Sequence, residues 1–451
     1  MNMKSPKTYI TGLYLLILPL IFGSCKKYLE EIPNNALPTA SAITDLGTAR
    51  AAILGAYDGL QSYYSADFPT LGTITADNVV FNGTLSEYLQ LDQNAVPTDN
   101  VITVNAYRKI YSTINAANGV IAGLPAVTDP LLKPEEKNKI LGEAYFIRAL
   151  GYFDLARGWG GVQLQLTPTA DIEGIKGVKR STLVQTYDQV QADLVLAEQL
   201  LPEDDANTRN KAQKGAARAL RARLALYREN WAEAESYATQ VISQPKFALV
   251  SNYKTFFTAP FLSSESVFEL TFSANDRNTY WNLWYPSSSG GQFTLKPSDT
   301  FVAKVNNPAI GGTRNSLIAG SGNTVYGVLY NTSGVSIDPA YLIRIAELYL
   351  IRAEARAQLG VNLDGARADL NAVRNRAGVP PLTGGRQEEI LQAIADENSI
   401  EFAFEAHRWF DLVRTKQAGK VLGLINTNYW LFPIPYSDIL SDPDVVQNPG
   451  Y

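Results

Sequence analysis

Four ionisable residues stand close together near the C-terminal end of the chain: Glu401, Glu405, His407 and Asp411. Paired carboxylates serve glycosidic hydrolysis when they flank the bond to be broken. A spacing of four predicts that Glu401 and Glu405 share one helix face. Against that chemistry, Phe402, Ala403 and Phe404 lie between them and no Gly-rich cleft sequence adjoins. His407 is the only histidine, and no zinc-binding spacing such as H-E-x-x-H is present. Charged side chains in so apolar a stretch are expected to pair with Arg408, Arg414 or Arg344 inside the fold. Arg344, Glu347, Arg352 and Glu354 read in the same way, as buried ion pairs locking helix to helix. Gly158-Trp159-Gly160-Gly161 lacks the Lys-Ser/Thr of a phosphate-cradling loop and follows a helical pattern, so it reads as a helix-ending turn. No cofactor is implied.

A second constellation is aromatic. Tyr280, Trp281, Trp284 and Tyr285 fall within six residues, flanked by Asn278, Asn282 and Pro286. Flat aromatic faces stack on the C–H faces of sugar rings while neighbouring amides bind hydroxyls, and Tyr and Trp suit that amphipathic task. The same rings would equally pack a loop onto its scaffold, since Trp is highly buried on average. Both readings stand on the sequence alone.

The elements that must position these residues are mostly helical. Leu220, Leu224 and Tyr227 share one helix face and Ala219, Ala222 and Leu226 another; Asn230 breaks the pattern, and Trp231 to Ile242 forms a second helix. Arg352 to Gly360 followed by Leu363 to Ala366 echoes Arg221 to Tyr227 followed by Trp231 to Ala234. In both, small residues at contact positions let two helices approach closely, the logic of tetratricopeptide-type pairs. Between Pro245 and Pro339 the helical period disappears; Val267 to Phe272 alternates like a strand amid Gly, Ser, Asn and Pro clusters. The predicted fold is mainly α: stacked helix pairs spanning about 40–244 and 339–425, with an irregular, partly β, loop-rich insert at about 245–338.

The 451 residues are 46% hydrophobic and 18% charged, with a net charge of −5. Apolar residues are plentiful enough to exclude general disorder, and no concentrated basic surface points to nucleic acid. At the N-terminus, Lys4 and Lys7 precede an uncharged run from Tyr9 to Phe22, then Gly23, Ser24 and Cys25. A positive flank, a short apolar core and small residues describe a secretory signal peptide over residues 1–24. The run is interrupted by Pro19 and falls short of the ~20 apolar residues of a membrane span. Cys25 is the only cysteine, and Ile21 to Cys25 resembles a bacterial lipobox with Phe22 in place of the usual leucine. The mature chain, 25–451, is therefore expected to begin at an acylated Cys25.

Several segments together resemble the SusD/RagB family of outer-membrane nutrient-binding lipoproteins from Bacteroidetes. Tyr341 to Ala355 looks like the family's central helix, Asp369 to Val379 the helix and turn that follow, and Glu401 to Arg414 its most diagnostic stretch. Pro433-Ile434-Pro435 and Gln447-Asn448-Pro449-Gly450-Tyr451 complete the pattern, while Glu397-Asn398-Ser399 departs from the family's Glu-Arg-Arg. The resemblance implies a non-catalytic protein seated on a SusC-like TonB-dependent transporter, capturing a glycan or, less often, a peptide. It also implies a polar ligand contact from Asp77 and Asn78, in a patch with Tyr63, Tyr64, Phe68 and Phe81. A surface glycosidase using Glu401 and Glu405 is the rival reading. Purified from native outer membranes, the parent protein is expected to retain its anchor and bring a barrel protein with it. Cys25→Ala should be left uncleaved or freed from detergent dependence; normal cleavage and retention of that variant would overturn the anchor.

Overall fold

The computed structural model describes residues 42–169, 177–258, 261–332 and 335–451. Cys25, the signal segment and the tether after it lie outside the described residues. The described residues open with a run of helices: α1 (Leu46–Tyr64), α2 (Asp67–Ile74), strand β1 (Val79–Phe81), α3 (Ser86–Asp92), α4 (Val101–Gly123), α5 (Pro134–Trp159), α6 (Leu183–Leu200), α7 (Lys214–Tyr227) and α8 (Trp231–Ile242). Their starts are encoded by side chains that satisfy the free amides of a first turn. Asp45 accepts from the Thr48 amide, Asn100 from Ile102 and Thr103, and Thr182 from Gln185. The end of α5 is set by Gly160, whose φ of +80° takes the chain out of the helix.

From α4 onward each long helix packs on the next, with α4 also against α1, so α4 to α8 form a continuous stack. After the insert the stack resumes with α12 (Ile345–Leu359), α13 (Leu363–Arg376) and α14 (Gln387–Glu401). Helix α12 lies against both α7 and α8, which joins the two echoing helix pairs directly. Ala234 and Ala238 on α8, Ala353 and Ala357 on α12, and Ala366 on α13 are fully buried. These are the small residues whose spacing predicts close approach, and the mainly α architecture of stacked helix pairs is the one the sequence predicts.

The insert holds α9 (Thr255–Thr258), β2 (Ser266–Leu270), α10 (Tyr280–Trp284), β3 (Leu295–Pro297), α11 (Asp299–Asn306), β4 (Ile318–Ala319), β5 (Tyr326–Gly327) and β6 (Ala340–Arg344). Among the described residues three two-stranded antiparallel sheets pair β1 with β3, β2 with β6, and β4 with β5. Every residue of β2 and β6 is buried, so this ribbon belongs to the core. Two boundaries differ from the sequence reading. Tyr341 to Arg344, read as the start of the central helix, is strand β6, because its backbone pairs with β2 before α12 begins. Glu401 and Glu405 do not share a helix: α14 ends at Glu401 and α15 (Arg408–Arg414) starts after a turn in which Ala406 has φ +60°. That turn is pressed on α2, where a Cβ on Gly72 would stand 2.6 Å from the Ala406 Cα. Short α16 (Ala418–Leu422) and α17 (Tyr436–Ser441) complete the chain.

One buried group in the stack carries no partner for part of its side chain. Glu143 on α5 is 3% exposed and its Oε1 is unbonded. Burial pushes its carboxyl up to about 7, against the opposing charges of Lys139 and Lys211. A folded-state value above the unfolded one means that stability is lost as pH rises from about 4.5 to about 7. Glu143→Gln cannot ionise, so it should exceed the parent by roughly 2–3 kcal/mol near pH 8 and match it near pH 4. Urea denaturation at both values checks this; a gain independent of pH would assign the effect to packing.

Candidate functional site

The aromatic cluster forms helix α10, and Asn278 turns it inward. The Asn278 side chain accepts from the Tyr280 amide at 3.1 Å and donates to the Asp338 carbonyl at 2.9 Å. Tyr280 is fully buried, its hydroxyl 2.9 Å from Thr73 Oγ1 and its ring edge-on to Trp284 and Tyr330. Trp284 lies 4.5 Å from the Phe404 ring and beneath Gly327 of β5, where no Cβ would fit. The Trp281 indole donates to Ser336 Oγ, and Tyr285 packs 5.0 Å from Tyr326. Trp281 and Tyr285 are each 8% exposed. Of the two readings of these rings, a sugar-stacking surface is therefore corrected in favour of packing onto the scaffold. Three large rings on one short helix and a fourth directly after it are driven to the core, and they form a floor.

The residues of the second patch separate. Tyr64 is buried on α1 and donates to Asp154 at 2.7 Å beside Tyr63, and burial holds its phenol well above the ordinary range. Asn78 is 1% exposed and donates to the Ser399 carbonyl. Both are internal hydrogen-bonding groups instead of surface contacts. Asp77 differs: it receives two hydrogen bonds from Arg408 at 2.6 and 3.0 Å. Burial raises its carboxyl, but Arg408 and Lys304 outweigh that and hold it below the usual range. It lines a polar cleft of about 500 Å³ with Lys304, Asp396, Asn398 and Arg408.

The carboxylates of the glycosidase reading are locked in the core. Arg344 bonds Glu405 at 2.7 and 2.8 Å and Glu401 at 2.8 Å. Arg314 bonds Glu401 at 2.7 Å, and Arg376 also bonds it. Glu401 is completely buried; burial raises its carboxyl, yet Arg376, Arg314 and Arg344 bring it down to about 2. Glu405 is buried too, and there burial prevails over Arg344, pushing it up to about 7. Two saturated, inaccessible carboxylates cannot flank a glycosidic bond. The His407 ring stacks 4.6 Å from Phe402, and burial among Arg223, Arg157, Arg344 and Arg414 drives its pKa far down. Among the described residues no group of three or more His, Cys, Asp or Glu is placed to hold a metal ion.

What reaches the surface over the aromatic floor is the β1–β3 ribbon. Phe81 pairs with Leu295 across it and stacks on Tyr88 of α3, with ring centroids 6.2 Å apart and planes 6° from parallel. Asn82 donates through Nδ2 to the Phe293 carbonyl at 2.7 Å and through its amide to Thr294 at 2.8 Å. The Gln292 amide donates to the Asn282 carbonyl at 2.7 Å, which ties the ribbon to α10. Phe81, Asn82, Tyr88, Asn282 and Phe293 are half-buried and Gln292 is exposed. Burial, with Asp67 and Glu87 adding to it, pushes the Tyr88 phenol up to about 12, so it remains a neutral donor. The two sequence patches thus meet, but through residues that the sequence reading passed over: Asn82, Tyr88, Gln292 and Phe293. An aromatic on each side of Asn82-Gly83 was the available signal.

Residues 250–428 match the SusD family, and residues 27–226 match a group described as starch-binding associating with outer membrane. The chain belongs to the SusD family. SusD-like protein P38 of Formosa agariphila is 25% identical over the full length of both chains. A SusD superfamily protein from Bacteroides vulgatus superposes with a TM-score of 0.81 at 20% identity, over 90% of this chain and 99% of that one. Surface glycan-binding protein A from Bacteroides thetaiotaomicron, solved with laminarihexaose, gives a TM-score of 0.75 at 19% identity, over 90% of this chain and 100% of that one. In this SusD-family chain the floor and the exposed rim make different demands on stability. Trp284→Ala should cost about 3–5 kcal/mol as a core cavity, whereas Tyr88→Ala should cost clearly less. Guanidinium denaturation of both variants checks this, and equal losses would contradict the division.

Proposed function

We propose that this protein captures a glycan at the outer face of the outer membrane and passes it to a TonB-dependent transporter, held in place by acylated Cys25. The observation that carries the reading is the ribbon: two parallel half-exposed rings, Phe81 and Tyr88, beside the amides of Asn82, Asn282 and Gln292. Aromatic faces supply the apolar contact a sugar ring needs, and neutral amides supply paired donors and acceptors for its hydroxyls. The floor of Tyr280, Trp281, Trp284 and Tyr285 keeps that rim rigid, so little ordering is left to the moment of binding. The engagement of Glu401 and Glu405 by arginines leaves them no part in hydrolysis, which supports binding over catalysis. The glycan-binding relative supports the ligand class, and the family description supports the membrane.

Calorimetry against laminarihexaose and a panel of other glycans tests the reading. A stacked ring is worth roughly 0.5–1.5 kcal/mol beyond its buried area, so Phe81→Ala and Tyr88→Ala should each weaken binding by about 2- to 13-fold. The double variant should weaken binding further than either single change while circular dichroism remains unchanged. Binding to peptides but to no glycan would favour a peptide-capturing protein of the RagB type, and unaltered affinity in the folded double variant would move the site elsewhere.

A further inference from the structure

We infer a second saccharide site, in a cavity of about 310 Å³ between α4, the segment after α5 and the C-terminal helix α17. The inference rests on the glycan-capture reading and extends it to a contact that uses no residue of the β1–β3 ribbon. The cavity combines an apolar base with a polar rim, the usual make-up of a small-ligand site. Ile114 and Val445, both buried, form the base. Tyr107 and Tyr111, with ring centroids 5.0 Å apart, form a wall, and Tyr111 is fixed by donating to the Gln163 carbonyl at 2.9 Å.

The rim carries planar amides and carboxylates. Asn115 accepts from the Thr169 amide at 2.8 Å, and among the described residues its own NH2 has no partner. Gln163 donates to Asp442 at 3.0 Å, which sets that carboxylate. An amide donor beside a carboxylate acceptor is a pairing that recognises adjacent hydroxyls. The one cation in the lining, Arg108, is already held by Ser437 at 2.7 Å and Asp438 at 3.7 Å. With Asp438 and Asp442 also present, two carboxylates against one guanidinium leave a net negative lining that opposes uronates, sulfates and phosphates. The volume lies at the lower end of the roughly 300–1,000 Å³ of small-molecule pockets, which suits one or two neutral sugar rings.

The support of this cavity is continuous with that of the ribbon. The Tyr436 amide at the start of α17 donates to the Thr98 carbonyl, and Asn100 donates to Glu87 and Gln90 on α3, the helix that carries Tyr88. One short loop therefore braces both sites.

Affinity electrophoresis of the full protein in gels containing laminarin, starch or xylan tests the inference. Ser441→Trp closes the mouth from an exposed position, and Gln165→Leu removes a rim amide without filling the space. Each is expected to reduce retention by about 2- to 13-fold, the worth of one stacked or hydrogen-bonded contact. In the Phe81→Ala/Tyr88→Ala background residual retention should persist and disappear when Ser441→Trp is added, with circular dichroism unchanged. If both cavity variants match their parents in both backgrounds, the second site is overturned while the ribbon reading stands. If the ribbon variant alone removes all retention, the second site is likewise overturned. Loss confined to the cavity variants would overturn the ribbon reading and make the cavity the principal site. No retention of the parent in any gel would overturn both. Saturation-transfer NMR showing lysine amide but not laminaribiose or maltose at Tyr111 would overturn the ligand class.

Discussion

Arg344 sits where strand β6 becomes helix α12, and its guanidinium reaches Glu265, Glu401 and Glu405 at once. Arg376 and Arg314 share the same carboxylates, and Arg314 adds Glu397. Burying so many charges is tolerable only because each finds opposite charge with good geometry; removing one partner of a buried pair typically costs about 3–5 kcal/mol. The constraint reaches well beyond the ions. It holds the turn at 402–406, which places Phe404 against Trp284 and Ala406 against Gly72. Trp284 in turn supports Tyr280, and Tyr280 bonds back to α2 through Thr73. The floor beneath the ribbon therefore inherits its position from an ion network on another part of the chain.

Much of the fold was legible because it depends on local pattern. The pair Lys214–Tyr227 and Trp231–Ile242 follows from apolar periodicity, a break at Asn230 and alanines at contact positions. The errors fall where distant pairing decides. Tyr341 to Ala355 reads as one apolar helix, and only the partnership with β2 makes its first residues a strand. Nothing near Ala406 announces a turn, since neither glycine nor proline occurs between Glu401 and Arg408. The ion pairs were legible in kind, while partners such as Asp77 and Arg408, 331 positions apart, were not.

The site was legible only in its parts. A dense run of Tyr and Trp marks either a stacking surface or a packed one, because both need large rings. Asn278 resolves the choice by accepting from the Tyr280 amide while donating to the Asp338 carbonyl, a contact 60 positions away that no spacing rule predicts. Phe81 was named, but its partner Tyr88 acquires meaning only once α3 folds back alongside β1.

The separation of a buried floor from a half-exposed rim bears on how such a protein diverges. Asn82, Asn282 and Gln292 engage the ribbon's backbone and one another's surroundings without carrying the core. On the proposed reading, replacements at Asn282 and Gln292, whose mutual bond is between backbone groups, would alter which hydroxyl pattern is read and cost the fold about 0.5 kcal/mol or less. If the rim reads the ligand as proposed, a scaffold built this way can exchange one nutrient for another by drift at a few positions, with no interval in which the chain fails to fold.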